Sequence, residues 1–222
     1  MCNQTETKTV RLRDDLTAAK NRNNYDKIYF DILPYLAECD FVSAGRRLKF
    51  SGVSPERLTV TFCGRPFEVT KKAVRVLDGK KIHNNFLSVL IYYTISKADC
   101  EPVYDFTLLA NLSEGVFAGD RGPSWQNWQQ KPLDERFGSD FGAFHQAALR
   151  MGMRYDGETA PLEHSYFFHV LPKMPVKVKY YEADEEFPVQ VKIFWDKTAT
   201  QFLTFEPLAV LNGCLISAIA DA

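Results

Sequence analysis

The sequence predicts an α+β fold, a mixed or antiparallel sheet packed against several helices in a single domain. Three observations carry this expectation. Apolar and polar residues alternate with period two in two separate regions, Leu58 to Val69 and again from Val176 to Phe194, as strands with one wet face do. Apolar stripes at helical spacing stand before, between and after those regions. The 222 residues are 45% hydrophobic and 25% charged, with 17 Phe and 10 Tyr, which is enough apolar surface for a core and excludes a disordered chain. No linker, internal repeat or low-complexity tract divides the chain. Residues 1–22 read as an N-terminal arm or frayed helix, and residues 23–222 as the domain.

Taken in order, the first helix begins near Asn24, where Tyr25, Ile28, Tyr29, Ile32, Leu33 and Leu36 form one apolar face; Pro34 should end or kink it. A second, short helix runs from Asp40 to Phe50 and stops at Gly52. Leu58, Val60 and Phe62 then alternate with polar neighbours, Gly64-Arg65-Pro66 turns the chain, and Phe67 to Val69 returns as a β-hairpin. Val74 to Leu77 adds a strand before the turn at Asp78-Gly79. Ile82 to Ala98 reads as a buried helix, apolar nearly all round between Phe86 and Ile95, with Asn84 or Asn85 as its cap. Val103 to Leu109 forms a strand, and Asn111 to Lys131 a long surface loop.

Leu133, Phe137, Phe141, Phe144, Ala148 and Met151 step by four or three residues and predict one continuous helix. Asp134 and Glu135 lie in its first turn and Arg150 and Arg154 near its end, as the helix dipole favours; Asp156-Gly157 closes it. Three strands follow, from Ser165 to Leu171 and in the alternating runs from Val176 and from Val189. The link from Glu182 to Pro188 makes the last two a meander. Phe205 to Ala220 is the final helix, with Thr204 as its N-cap.

Several function classes are excluded or weakened. The most apolar run, Phe86 to Ile95, is about half the length of a membrane span. The polar N-terminus has no secretory signal, so a cytoplasmic location is expected. Cys2, Cys39, Cys63, Cys100 and Cys214 are odd in number, scattered and without a CxxC pair, which predicts free thiols rather than a disulfide framework or an iron–sulfur site. No nucleophile elbow, zinc-protease, dinucleotide or kinase motif is present. Whether the protein is an enzyme, and which cofactor it would use, stays open.

Four groups of residues are candidate sites. Gly119-Asp120-Arg121-Gly122 is followed by Trp125 and Trp128 among amide side chains. Asp120, Arg121, Trp125 and Trp128 are therefore expected to bind a planar ligand or a partner surface. Asp184, Glu185 and Glu186 supply three carboxylates that could hold a hard cation, against a solvated turn as the simpler reading. Of the histidines, His145 extends the helix stripe, where it could be an axial ligand to a metal cofactor, against a hydrogen-bonded residue at the core edge as the simpler reading; His164 and His169, five apart, fall on opposite faces of a strand. Finally, ten basic residues against three acids stand between Arg46 and Lys81, while the stretches 99–167 and 182–222 carry net charges of −6 and −5. Basic and acidic regions can complement one another within the domain, or the basic segment can meet an anionic partner. The segment has no helix-turn-helix, zinc-finger or RNA-recognition pattern, which places nucleic acid behind a small molecule or a protein partner.

The run Asp184-Glu185-Glu186-Phe187-Pro188, a strand ending at Trp195-Asp196, then Ala199 to Leu203 and Phe205-Glu206-Pro207-Leu208 resembles the C-terminal half of domain of unknown function 3786. The Cys63-Gly64-Arg65 turn between strands and the apolar helix Leu87 to Ile95 fit the same pattern, so the resemblance covers roughly residues 25–220. It implies an origin in anaerobic bacteria or archaea and a setting in cofactor, corrinoid or one-carbon metabolism, but no reaction. Relatives with an added cysteine-rich iron–sulfur module are implied too; this chain has no such module. The reading that results is a binding or accessory protein for a small molecule, cofactor or protein partner. A metal-assisted enzyme using a carboxylate cluster, or an anion or nucleic-acid binder using residues 46–81, is the alternative.

Overall fold

The computed structural model describes residues 24–113 and 132–222. Helix α1 (Asn24–Ile32) stops just before Pro34, and α2 (Tyr35–Glu38) resumes after it. Proline cannot donate a backbone hydrogen bond and crowds the preceding turn. Tyr29, Ile32 and Leu36 face the core while Ile28 stays exposed. Helix α3 (Phe41–Arg47) is capped by Asp40, whose Oδ1 accepts the amides of Val42 and Ser43 at 3.0 and 3.1 Å.

Strands β1 (Gly52–Val53), β2 (Arg57–Phe62), β3 (Arg65–Thr70) and β4 (Val74–Val76) form an antiparallel sheet in sequence order. The β2–β3 turn is Cys63-Gly64, with φ of 47° and 75°, the paired left-handed conformation that matches strand twist in a two-residue hairpin. A side chain at Gly64 would place its Cβ 2.7 Å from the Met151 carbonyl oxygen, so glycine is required there for space as well as for conformation. The Cys63 amide donates to the Val170 carbonyl at 3.1 Å, which ties this turn to the second sheet.

Helix α4 (Asn84–Ile95) packs against α1 and against the last helix of the chain, Phe205–Ala220. Enclosure on several sides explains why Phe86, Leu87, Val89, Leu90, Ile91 and Tyr93 are all buried. His83 holds the N-cap position of α4, and the Asn85 side chain accepts the Phe86 amide. After β5 (Phe106–Leu108) and a 3₁₀ turn (Leu109–Leu112), the second sheet is built from β6 (Arg154–Ala160), β7 (Glu163–Leu171), β8 (Met174–Tyr181) and β9 (Gln190–Asp196). Its order is β5-β9-β8-β7-β6, every pairing antiparallel. Register sets Tyr166 opposite Val178, Val178 opposite Ile193 and Val176 opposite Trp195, and all five side chains are buried. The chain ends in α6 (Ala199–Phe202) and α7 (Phe205–Ala220). One hydrophobic core takes in residues from both sheets and from the helices between and after them. The fold is thus α+β with two antiparallel sheets of four and five strands, rather than a mixed sheet.

Three details depart from the expectations. The stripe from Leu133 to Met151 is not one helix. A short helix over residues 132–137 ends at Gly138, and α5 (Phe141–Arg150) starts afresh. Gly138 takes a φ of 48°, which stops the first segment, and the Asp140 side chain caps the second by accepting the Ala143 amide at 2.8 Å. Leu133, Phe137, Phe144 and Met151 are buried, but Phe141 only partly. Second, Asp156-Gly157 does not close a helix but lies inside β6, where the register shifts between Tyr155 and Gly157. As an edge strand exposed along most of its length, β6 has no burial alternation to read. Third, the strand expected from Val103 is confined to Phe106–Leu108, because Asp196 takes the amides of Val103 and Tyr104 on its carboxylate.

Candidate functional site

Four segments meet around a cavity of about 510 Å³, within the size range of small-molecule sites. They are the β2–β3 turn, the stretch from Asp78 into the first turn of α4 at Phe86, the end of α5 and the end of α7. Phe86, Ile82, Met151 and Ala218 give the wall an apolar part. Arg65, Lys80, Lys81, His83 and Arg150 bring the basic groups, opposed by Asp78 and Asp221.

The basic groups are not equivalent. Arg65 grips Asp78 with two parallel hydrogen bonds, Nε to Oδ2 at 2.6 Å and Nη2 to Oδ1 at 2.7 Å. This fork–fork geometry is the strong form of the ion pair. The Arg65 guanidinium holds the Asp78 carboxyl down at about 2, and the Lys80 amide bonded to the same carboxylate adds to this. Asp78 Oδ1 accepts the Lys80 amide at 3.0 Å and Arg65 Nη2 reaches the Lys80 carbonyl at 3.3 Å, so the pair shapes the turn that carries the lysines. Arg150 donates through Nε and Nη2 to the carbonyl oxygen of Ala222 at 3.1 and 2.7 Å. Lys80 and Lys81 are exposed and form no ion pair among the described residues. Cys63 also lines the cavity, but burial, with Cys214 nearby, pushes its thiol well up, so it is a neutral thiol rather than a nucleophile at neutral pH.

The residues singled out in the sequence fare differently. Asp120, Arg121, Trp125 and Trp128 lie outside the described residues, as do residues 1–23. Asp184 spends Oδ1 on the amides of Glu186 and Phe187 at 2.8 and 2.7 Å, the work of a turn-forming aspartate. Glu185 and Glu186 are exposed. Among the described residues, no three or more His, Cys, Asp or Glu side chains are grouped to hold a metal ion. Asp184 does border a smaller cavity of about 290 Å³ together with Glu182, Phe187 and Lys192.

The basic segment runs from the end of α3 through the first sheet to the link before α4, and its charges are dispersed. Arg57 lies 3.6 Å from Glu68, Lys49 reaches Glu101 at 2.6 Å, and Lys71 sits 4.2 Å over the Phe41 ring. Arg65, Lys80 and Lys81 line the cavity of about 510 Å³, and Arg46 and Arg47 another of about 600 Å³; the sequence signal for them was net charge alone. Arg150 and Asp221, from distant elements, carried no such signal. His145 bonds the Tyr166 hydroxyl at 2.8 Å through Nδ1, and His164 is buried while His169 is exposed. Cys39, Cys63, Cys100 and Cys214 are free thiols. Among the described residues, no helix is long and apolar enough to cross a membrane.

Fold and cavity together define a two-sheet α+β protein with a cation-rimmed pocket at one end of its core. The chain belongs to the family described as Domain of unknown function (DUF3786), whose model matches residues 40–218. No curated protein and no solved structure matches it.

Proposed function

We propose that this protein binds a small anionic molecule, one carrying a carboxylate or phosphate on an apolar body, in the cavity beside the Cys63-Gly64 turn. The observation that carries this reading is the pair Lys80 and Lys81. Two cations without an ion-pair partner among the described residues stand at the rim of a cavity of about 510 Å³ whose wall is partly apolar. Small-molecule sites combine an apolar lining with a few placed polar groups, and uncompensated charge at a concave rim raises the local concentration of an oppositely charged ligand. Arg65 is offset by Asp78 and shapes the lysine turn, while Arg150 is held in place on the Ala222 carbonyl. A binding or accessory role fits better than covalent catalysis, since the Cys63 thiol is held neutral by burial. Cofactor or one-carbon metabolism of anaerobes is the setting attached to this reading, on the family resemblance alone.

The test is titration calorimetry of the full chain against inorganic phosphate, citrate and a nucleoside monophosphate. At least one should bind, with affinity falling as salt rises and falling about tenfold or more in K80E/K81E, as two charge reversals at a rim imply. The melting temperature of the variant should stay near that of the parent. No binding by any of the three, or equal binding by the double variant, rejects the proposal.

A further inference from the structure

A second cluster of titratable groups lies away from the cavity, on the edge of the five-stranded sheet. Tyr155 stands on edge strand β6, His164 on its neighbour β7, and Glu182 directly after β8. His164 Nε2 lies 2.6 Å from Glu182 Oε1, and His164 Nδ1 lies 3.0 Å from the Tyr155 hydroxyl. The Phe141 ring stacks on the imidazole at 3.8 Å between centroids with a 21° tilt, and His164 is only 7% exposed. The imidazole is therefore fixed in orientation between a carboxylate and a phenol. Tyr155 itself is 36% exposed.

The direction of these bonds follows from donor chemistry. A carboxylate only accepts, so in the neutral imidazole Nε2 carries the proton and Nδ1 presents a lone pair. The Tyr155 hydroxyl must then donate to Nδ1, and its oxygen has only lone pairs left to offer outward. The other groups facing this pair are already engaged. His145, edge-on to the Tyr155 ring at 5.0 Å, is bonded to the Tyr166 hydroxyl. Tyr180 donates to the Gly138 carbonyl at 3.0 Å. Burial pushes the Tyr166 phenol up and the Tyr180 phenol up to about 12, so neither gives up a proton in place of Tyr155.

We propose that Tyr155 is the base of a second site, one that takes a proton from a hydroxyl-bearing molecule, an alcohol or a phenol, at the open edge of the sheet. In the step, the O–H bond of the bound molecule breaks and a new O–H bond forms on Tyr155 Oη. At the same time the original Tyr155 O–H breaks and its proton passes to His164 Nδ1. The resulting imidazolium is neutralised by Glu182, and the bound molecule is left as an oxyanion. His164 and Glu182 are positioning residues, acting through Tyr155. No oxidant, reductant or metal enters the balance.

The experiment reads the reactivity of Tyr155 in the full chain with an arylsulfonyl fluoride. Oη attacks sulfur, the S–F bond breaks, fluoride leaves and the phenolic proton goes to His164. Tyr35 and Tyr104, at 57% and 56% exposure, are the internal controls, because neither hydroxyl is bonded to an imidazole among the described residues. Peptide mapping should show Tyr155 labelled about tenfold or more faster than both, although it is the less exposed residue. In H164Q the rate at Tyr155 should fall to that of the controls and climb with pH between about 7 and about 9, where the parent rate stays nearly flat. E182Q changes a partly exposed side chain and should also lower the rate; it decides the matter should H164Q not fold. Labelling of Tyr155 no faster than that of Tyr35 and Tyr104, or a rate untouched by H164Q or E182Q in folded protein, overturns the proposal.

Discussion

The hydroxyl of Tyr93 accepts the backbone amide of Lys173 at 3.2 Å. It also donates to the Leu48 carbonyl at 3.0 Å, so one fully buried oxygen joins the end of α3 to the β7–β8 turn. The two segments belong to opposite halves of the sequence, and the Glu101 carboxylate bridges them as well, meeting Lys49 at 2.6 Å and Lys173 at 3.1 Å. Burial pushes the Tyr93 phenol well up, which keeps it a neutral hydroxyl able to donate and accept at once. Replacing Tyr93 with Phe keeps the ring and strands a buried amide and a buried carbonyl. Each unsatisfied group costs about 1–3 kcal/mol, so Y93F should lose about 2 kcal/mol or more in urea unfolding. A loss below about 0.5 kcal/mol would show that water replaces the hydroxyl there.

Asp196 is a second buried anchor. Its carboxylate is fully buried and accepts from the amides of Val103, Tyr104 and Thr198 and from the Thr198 hydroxyl. These bonds hold the irregular segment before β5 against the end of β9. Asn at this position keeps the shape but replaces one acceptor oxygen with a donor nitrogen facing N–H groups. Hydrogen bonds to charged groups are worth about 1.5–3 kcal/mol each, so D196N should cost at least about 2 kcal/mol, read by thermal or urea unfolding. Hydrogen exchange at Val103 and Tyr104 should speed up more than at the centre of β8. Uniform acceleration would mean that the segment opens only with the whole fold.

These two anchors show what the sequence carries and what it withholds. Alternation and Gly64 make the first hairpin legible, because local chemistry decides it, but the turn is Cys63-Gly64 rather than Gly64-Arg65-Pro66: the left-handed pair closes it in two residues, and Arg65 and Pro66 already belong to β3. The C-terminal meander is legible for the same reason. Asp196 is visible as part of a family pattern, but its role depends on amides some ninety positions away, which no local signal encodes. Edge strand β6 is illegible because it buries almost nothing. The cavity is illegible because Arg65, Arg150 and Asp221 come together only after folding; of its rim, only a surplus of positive charge could be read.

The Arg65–Asp78 pair gives the rim a pH dependence whose sign is set by the direction of the shift. Asp78 titrates at about 2 in the folded protein, below the ordinary value of about 3.9 for an unfolded chain. The folded state therefore binds this proton less readily, and the pair stabilises the fold above about pH 4. That contribution is lost as pH falls through the range from about 4 to about 2. Melting temperatures of the parent and D78N should differ at pH 5 and converge toward pH 2. A gap that is constant with pH would mean that the turn, not the charge, is what Asp78 supplies.

Phe141 and Phe144 test the break in the helical stripe. Phe144 is fully buried and packs its ring against Phe137, Tyr166 and Tyr180. Phe141 opens α5 and is only partly buried, with one face on the His164 imidazole. Had the stripe been one continuous helix, the two would be equivalent core positions. Because Gly138 stops the first segment and Asp140 restarts the second, Phe141 sits at a helix start beside the sheet edge. F144A should cost about 3–5 kcal/mol, the range for deleting a core phenylalanine. F141A should cost clearly less, since part of its surface is wet in the native state and fewer contacts are lost. It should also loosen the imidazole that it covers, so the His164 ring signal should broaden or shift in the NMR spectrum of F141A while that of His169 stays put. Equal losses from the two substitutions would mean that Phe141 belongs to the core after all, and that its contact with His164 is incidental to its packing.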